Sequence, residues 1–237
     1  MYVITLVDIA VAFIPVAVTL VVIFYWSDNL RSAGIALLRM LIQLLLIGYA
    51  LDYIFNARNH WIVLLVLCFM LIAASWISLN ALPVKKINLF WLSLIAIAGG
   101  GIINLALISQ AVLHADPWYR PSILIPLAGM IFSNSMNSVS LAGERFYSEL
   151  AHHQDYARAR NTAFQAALIP ITNALLAVGL VSLPGMMTGQ ILAGTAPTIA
   201  ARYQIIVMCM IFSSAGISAA LFLWLIRNKL ATTDSSK

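Results

Sequence analysis

The sequence predicts an all-α integral membrane protein with about seven transmembrane helices, the N-terminus outside and the C-terminus inside. Three observations lead to this prediction. Of 237 residues, 62% are hydrophobic and only 9% are charged, whereas a soluble domain carries about 25% charged residues. The mean hydropathy is +0.97. The basic residues behind the net charge of +5 lie in short segments between apolar runs, which indicates membrane topology and not a nucleic-acid partner.

Charged residues divide the chain into apolar segments, each long enough for the ~20 residues that cross a bilayer. The predicted spans cover residues 6–26, 33–54, 60–81, 88–112, 121–143, 163–193 and 203–226. We expect one transmembrane domain over residues 1–230 and a disordered polar tail at 231–237. The first span has no basic residues before it and no small-residue cleavage site, so we interpret it as a retained helix and not as a signal peptide.

The distribution of basic residues orients the predicted spans. With the N-terminus outside, the outer side holds Arg58, Arg120 and Arg202, and the inner side holds the other ten of the 13 Lys and Arg residues. This bias agrees with the positive-inside rule. The polar stretch 144–161 then forms a cytoplasmic loop, in which we expect a short amphipathic helix.

The sixth predicted span lies in a charge-free run, residues 161–201, that is about twice as long as one crossing requires. Prolines and glycines interrupt this run, and broken helices in membrane proteins line cavities or move. A complete hairpin here would place the basic C-terminal segment outside. We therefore predict one crossing whose helix breaks near Leu183-Pro184-Gly185, as a hinge or a short re-entrant turn.

The sequence shows no catalytic set. It contains no His-Glu-x-x-His pair, no Gly-x-Ser-x-Gly elbow and no phosphate-binding loop, so we do not expect an enzyme or an ATP site in this chain. The lysines lie at span edges, which excludes a retinal Schiff base within the membrane. No carboxylate is central in a span, which argues against a proton-driven pump.

Neutral polar residues within the spans are the candidates for a substrate path. Met130, Asn134 and Asn137 share one face of span five. An asparagine that faced lipid would leave its amide unsatisfied, so this face contacts protein or water. Hydrogen bonding within a bundle or dimer is one interpretation, and a substrate path is the other. The candidate path residues are Met130, Ser133, Asn134, Asn137, Asn173 and Ser182.

Two further groups of residues are candidates for a mechanical role. Arg39 and Gln43, one turn apart in span two, indicate an inner-edge anchor that snorkels to the interface or, alternatively, an inner mouth that attracts anions. The thioethers of Met186 and Met187 suit soft metals such as Cu(I), but such pairs also serve packing, so the metal ligands stay unassigned. The hinge or gate candidates are Pro170, Pro184, Gly185, Met186 and Met187.

Several blocks of the sequence resemble one known family. Residues 38–55 resemble its second span and residues 125–136 its fifth. The block Leu-Pro-Gly-Met-Met-Thr-Gly at 183–189 looks like its most diagnostic motif. On these blocks the chain is identified as a member of the FetB-like (UPF0014) ABC transporter permease family, which is implicated in iron export and is related to plant aluminium-tolerance transmembrane proteins.

The resemblance implies the permease subunit of an ATP-binding-cassette transporter in the bacterial cytoplasmic (inner) membrane. Such a subunit works as a homodimer with a separate ABC ATPase subunit, which binds the ATP and Mg²⁺, so the permease itself binds no cofactor. The implied substrate is iron or another metal ion. The alternatives are a non-metal solute, such as a nucleotide sugar or a lipid-like molecule, and an ATPase-independent channel or membrane scaffold.

The resemblance also implies that the cytoplasmic stretch 144–161 contacts the ATPase. Family members carry a longer loop here with a Leu-Gly-Ala-Thr-type turn, which residues 151–165 lack. The remaining helix can still dock, or another loop supplies the contact. The candidate contact residues are Glu144, Arg145, Glu149, Tyr156, Arg158 and Arg160.

Overall fold

A computed structural model describes residues 5–27, 30–55, 59–82, 86–152 and 154–234. Of the basic residues that orient the predicted spans, Arg58, Lys85 and Lys237 lie outside these ranges. The described residues form α-helices and no β-strand, apart from one isolated bridge between Val178 and Ser182. The helices are α1 Leu6–Trp26, α2 Leu30–Phe55, α3 His60–Ile77, α4 Lys86–Ala106 with a π-helical continuation Leu107–Val112, α5 Pro121–Ala151, α6 Tyr156–Ala177, α7 Gly185–Leu192 and α8 Pro197–Asp234.

The helices belong to two compact units. The first, Met1–Asn56, contains α1 and α2, and the second, Ala57–Lys237, contains α3 to α8. Arg39 and Gln43 lie in the first unit, and all other candidate site residues lie in the second. The single transmembrane domain over residues 1–230 stays a prediction.

Capping residues and prolines set where the helices begin. Thr5 and Asp8 form a capping box on α1, in which the Asp8 N–H donates to Thr5 Oγ1 at 3.3 Å and the Thr5 N–H donates to Asp8 Oδ2 at 2.7 Å. The Asn59 side chain caps α3. Pro121 and Pro197 occupy the first position of α5 and α8, where a missing N–H costs nothing. Pro197 therefore begins the last helix earlier than the predicted boundary at residue 203.

Five of the described helical stretches are long and apolar enough to cross a bilayer, and they correspond to predicted spans one to four and seven. Predicted span five corresponds to α5, and predicted span six corresponds to α6 together with α7; α5 and α6 are 31 and 22 residues long. Both helices are more polar because they extend into the charged stretch 144–161. The chain is a multi-pass helical membrane protein, while the count of seven and the orientation stay predictions. The five stretches are Val7–Trp26, Leu30–Leu51, His60–Ile77, Leu89–Val112 and Pro197–Arg227.

Helices α5 and α8 form the centre of the second unit. Helix α8 packs against α4, α5 and α6, and α5 also contacts α3. Large side chains fill the space between them, and Ile131, Phe146 and Phe222 are fully buried. The helix that carries Met130, Asn134 and Asn137 therefore belongs to the core of this unit.

A glycine brings the backbones of α4 and α8 together. A Cβ at Gly100 would lie 2.3 Å from Ser218 Oγ and 2.9 Å from the Ser214 carbonyl oxygen and the Ser218 nitrogen. One turn along α4, Asn104 Oδ1 accepts a hydrogen bond of 2.8 Å from Ser213 Oγ. Lipid supplies no hydrophobic drive for helix association, so small residues and such hydrogen bonds hold membrane helices together.

The predicted break in the sixth helix is present. Helix α6 ends at Ala177, whose carbonyl accepts the N–H groups of Val181 at 2.8 Å and Ser182 at 3.2 Å. Gly179 takes a φ of +80° in this tight turn, a conformation that glycine adopts without strain. Helix α7 begins at Gly185 and has eight residues, or about 12 Å, which is too short to cross the ~30 Å hydrocarbon core.

The stretch 144–161 differs from the expected separate amphipathic helix. Helix α5 continues to Ala151 and α6 begins at Tyr156. Asp155 caps α6 by accepting the Arg158 N–H at 3.3 Å. The expectation of a separate helix is wrong because two long helices extend into the stretch from both sides. At the other end of the chain, α8 includes residues 231–234 of the predicted tail, and residues 235–237 lie outside the described ranges.

We expect Gly100→Ala to destabilise the second unit by about 1–3 kcal/mol, because the new methyl group meets the α8 backbone. Thermal unfolding of the purified protein in detergent measures this loss of stability. Gly216→Ala is the matched control, since its Cβ would meet only Leu168 Cδ2 at 3.9 Å. Adding Ser218→Ala to Gly100→Ala should restore part of the stability, because only the backbone clash then remains. Equal stability of Gly100→Ala and Gly216→Ala would contradict the close crossing.

Candidate functional site

One face of α5 lines two cavities in succession. Positions three or four residues apart in a helix share a face, and this face runs from Ser122 to Leu141. Its first half borders a large cavity and its second half borders a small one. The α5 residues on this face are Ser122, Pro126, Met130, Asn134, Asn137 and Leu141.

The large cavity has a volume of about 750 Å³ and lies among α5, α7, α8 and the π-helical segment. Its lining is mostly apolar and includes the thioethers of Met130 and Met186. Four neutral polar residues also line it, Ser122, Gln190, Thr195 and Tyr203. Gln190 Oε1 is buried and has no hydrogen-bond partner among the described residues. An unpaired buried acceptor of this kind favours a ligand or a water that donates to it.

The small cavity has a volume of about 90 Å³ and lies between α5 and α6. Asn134 and Asn137 line it from α5, and Pro170 lines it from α6. The Asn134 Nδ2 donates to the Met130 carbonyl at 2.8 Å, so this amide is partly satisfied within its own helix. Ser138 Oγ donates to the Ala167 carbonyl at 3.4 Å and joins the two helices. The space suits a few water molecules at about 30 Å³ each, or a partly hydrated ion.

The other path candidates lie apart from these two cavities. Ser133 is exposed and donates to the Met130 carbonyl at 3.3 Å. Asn173 is exposed on α6 and lines neither cavity. Ser182 is exposed within the tight turn that ends α6. Of the six predicted path residues, the structure brings Met130, Asn134 and Asn137 to the cavities.

The hinge candidates take distinct positions. Pro170 lies inside an α6 that continues as a helix to Ala177. Pro184 is the N-cap of α7, where its carbonyl accepts the Thr188 N–H at 3.0 Å. Met186 lines the large cavity, whereas Met187 lines a different cavity of about 350 Å³. The two thioethers therefore do not converge on one position as a pair of soft-metal ligands would.

The charged candidates lie on surfaces. Arg39 and Gln43 are both exposed on α2, within the first unit. Arg145 and Glu149 form an i,i+4 ion pair at 2.6 Å, and the Arg158 Nη1 donates to Gln154 Oε1 at 3.4 Å. Glu144 is exposed. The positions of Tyr156 and Arg160 differ from these, since both line a crevice against α8.

Sequence reasoning missed the polar residues around α7 and the start of α8. Gln190 and Tyr203 line the large cavity. Gln204 lines the cavity that contains Met187, and its Oε1 is buried without a hydrogen-bond partner among the described residues. Both glutamines lie within predicted spans six and seven, and a long hydrogen-bonding side chain within a predicted span is the signal in the sequence that could have identified them.

The described residues contain no group of three or more His, Cys, Asp or Glu side chains that could hold a metal ion. Any ion that enters the α5 face would meet amide oxygens, thioethers, hydroxyls and water. These groups bind weakly compared with a carboxylate or histidine cluster.

Comparison with known protein families shows which family this chain is related to. The pattern of the "Uncharacterised protein family (UPF0014)" matches residues 6–231. The chain belongs to the UPF0014 family. The resemblance of the blocks in spans two, five and six is therefore confirmed.

Three UPF0014 relatives illustrate the range of the similarity. The UPF0014 membrane protein slr1647 of Synechocystis is 39% identical, over 78% of this chain and 84% of the relative. The probable iron export permease protein FetB of Escherichia coli is 36% identical, over 86% of this chain and 81% of the relative. The protein ALUMINUM SENSITIVE 3 of Arabidopsis thaliana is 30% identical, over 86% of this chain and 80% of the relative. No solved structure matches the chain.

We expect the double variant Pro184→Ala/Gly185→Ala to assemble normally and to lose most of its transport. A methyl group at Gly185 meets nothing within 4 Å, so packing tolerates it, while alanines at both positions favour a continuous helix across the break. Gel filtration measures assembly, and flux into vesicles measures transport. Gly189→Ala, which is also free of contacts but lies within α7, is the control. Unchanged flux in the double variant would show that the break is only structural.

Proposed function

We propose that this chain is the permease subunit of an ATP-binding-cassette transporter that exports iron or another metal ion. A homodimer of the chain works with a separate ATPase in the bacterial cytoplasmic membrane. The observation that carries the proposal is the α5 face, on which Met130, Asn134 and Asn137 border two cavities in a protein related to the probable iron export permease FetB.

The chemistry of the α5 face supports passage of an ion and not its storage. Amide oxygens such as those of Asn134 and Asn137 are ligands that hard cations accept. The face carries no carboxylate, so an ion there keeps part of its hydration shell and is held weakly. Weak binding at successive positions lets an ion leave as readily as it enters.

ATP hydrolysis is assigned to a partner chain because this sequence has no phosphate-binding loop of its own. The end of α5 at Ala151 and the beginning of α6 at Tyr156 supply the surface for this partner. Glu144, Arg158 and the Arg145–Glu149 pair lie there and are accessible. A rigid helix end transmits the movement of an ATPase to α5 more directly than a flexible loop would.

The large cavity favours a second candidate substrate. A volume of about 750 Å³ lies within the range of small-molecule sites, ~300–1,000 Å³, and exceeds what a metal ion needs. Its lining contains no Lys or Arg to pair with the phosphates of a nucleotide sugar. Of the non-metal solutes, a lipid-like molecule therefore fits this cavity better than a nucleotide sugar does. An ATPase-independent channel or scaffold is the third candidate.

We expect proteoliposomes that contain this chain and an ATPase encoded beside its gene to move Fe²⁺ only when ATP and Mg²⁺ are present. Asn137→Leu should lower the flux at least tenfold, because it removes an oxygen ligand from the small cavity. Asn173→Leu is the matched control, since Asn173 lies outside both cavities, and its flux should stay near that of the wild type. An iron-sensitive dye inside the vesicles measures the flux.

Three other outcomes distinguish the candidates. Equal flux in Asn137→Leu and Asn173→Leu would remove the α5 face from the path. ATPase activity stimulated by apolar solutes and not by metal would establish the second candidate. Ion flux that persists without the ATPase would establish a channel.

A further inference from the structure

A crevice with two arginines lies between the beginning of α6 and the end of the apolar part of α8. Its volume is about 360 Å³. Basic and aromatic groups line one side and apolar groups line the other. We call it the arginine crevice, and its lining residues are Tyr156, Arg160, Asn161, Phe164, Leu223, Trp224 and Arg227, together with Ala220.

The arginine crevice is organised around one tyrosine ring. The Tyr156 hydroxyl donates to the Leu223 carbonyl at 2.9 Å, which fixes the ring against α8. The guanidinium carbon of Arg160 lies 5.9 Å from the ring centroid, and that of Arg227 lies 5.6 Å from it. Burial raises the pKa of the Tyr156 phenol, and the two guanidinium groups lower it to a smaller extent. The hydroxyl therefore stays protonated and donates at neutral pH.

The two positive charges of the crevice lack a carboxylate partner among the described residues, where the one ion pair is Arg145–Glu149. Arg160 donates from Nε and Nη2 to Asn161 Oδ1, at 3.1 and 2.9 Å, which is a neutral acceptor. Two guanidinium groups held near one ring repel each other, although both arginines are exposed and solvent screens part of this repulsion. A bound anion would remove this repulsion, and the planar guanidinium fits a phosphate with two parallel hydrogen bonds.

The apolar wall and the position of the crevice identify the source of the phosphate. Phe164 and Leu223 form part of the wall, and Trp224 is 56% exposed beside it. Arg227 is the last residue of the apolar stretch Pro197–Arg227, which places it at the level of the lipid headgroups. Tryptophan, tyrosine and arginine are the residues that anchor helices at this level. A soluble phosphate would use the arginines but would gain nothing from the apolar wall.

We propose that the arginine crevice binds an anionic phospholipid, with the headgroup phosphate between Arg160 and Arg227 and an acyl chain along Phe164 and Trp224. The lipid joins α6 to α8, since the two arginines come from different helices. Tyr156 and Arg160 then serve this site, and the ATPase surface consists of Glu144, Arg158 and the ion pair nearby.

The test uses the full-length protein purified in detergent and phosphatidylglycerol as the probe. Native mass spectrometry counts bound lipid during a titration. We expect one tightly held phosphatidylglycerol per chain, with at least tenfold weaker retention of phosphatidylcholine. The double variant Arg160→Gln/Arg227→Gln should bind phosphatidylglycerol at least tenfold more weakly, a loss of about 1.4 kcal/mol. The charge-matched control is Arg120→Gln/Arg202→Gln, whose arginines are exposed away from the crevice, and it should bind as the wild type does.

Two single variants keep the test informative if the double variant fails to fold. Arg160→Lys keeps the charge and loses the bidentate geometry, so binding should weaken several-fold. Trp224→Ala removes part of the apolar wall and should weaken binding of the lipid without changing binding of inorganic phosphate.

Four results would overturn the proposal. Equal binding of phosphatidylglycerol and phosphatidylcholine would show that the headgroup charge is not recognised. An equal loss of phosphatidylglycerol binding in Arg120→Gln/Arg202→Gln would show a nonspecific effect of surface charge. Displacement of the lipid by millimolar inorganic phosphate would identify a site for free phosphate. Loss of ATPase co-purification in Arg160→Gln/Arg227→Gln, with lipid binding unchanged, would assign the crevice to the protein partner.

Discussion

The approach of α4 to α8 at Gly100 is the contact on which the second unit depends. The helix backbones are so close there that Ser218 Oγ occupies the space of a side chain at Gly100. In lipid the apolar surfaces of helices gain little from meeting each other, so backbone proximity and buried hydrogen bonds stabilise the bundle. The Asn104–Ser213 bond reinforces this crossing, and Ser78 and Ser93, with oxygens 2.7 Å apart, join α3 to α4.

This packing determines which part of α5 stays open. One side of α5 packs into the core of the unit, where Ile131 and Phe146 are fully buried. The opposite side carries Met130, Asn134 and Asn137, and the Asn134 Nδ2 donates to the Met130 carbonyl of the same helix. This bond lets part of the Asn134 amide face a cavity without a partner on another helix. This bond lies within α5 and not between helices, so both interpretations of these asparagines, as helix-joining groups and as a substrate path, stay predictions.

The interrupted helix completes the large cavity. The tight turn after Ala177 and the cap at Pro184 bring α7 beside α8, so Met186 and Gln190 face Met130 across the same space. A continuous helix through residues 178–184 would carry these side chains away from α5. The break in the helix therefore creates one wall of the large cavity. The residues between Leu192 and Pro197, with Gly194 at a φ of +93°, then lead the chain into α8.

The sequence alone determined the membrane class and the break in the sixth helix, because these follow from local composition and from Pro and Gly at fixed positions, and the family followed from the resemblance of several sequence blocks. It also placed Met130, Asn134 and Asn137 on one face, since helical periodicity is a local property. Only the tertiary structure decided that Asn173 and Ser182 lie apart from the two cavities, that Gln190 lines the large cavity with Met130, and that Arg160 and Arg227 both lie near the Tyr156 ring. These relations join residues far apart in the chain, and they depend on how closely α4, α5, α6 and α8 pack. That closeness is set by backbone contact at glycine and by hydrogen bonds between helices, which no local pattern of hydrophobicity records.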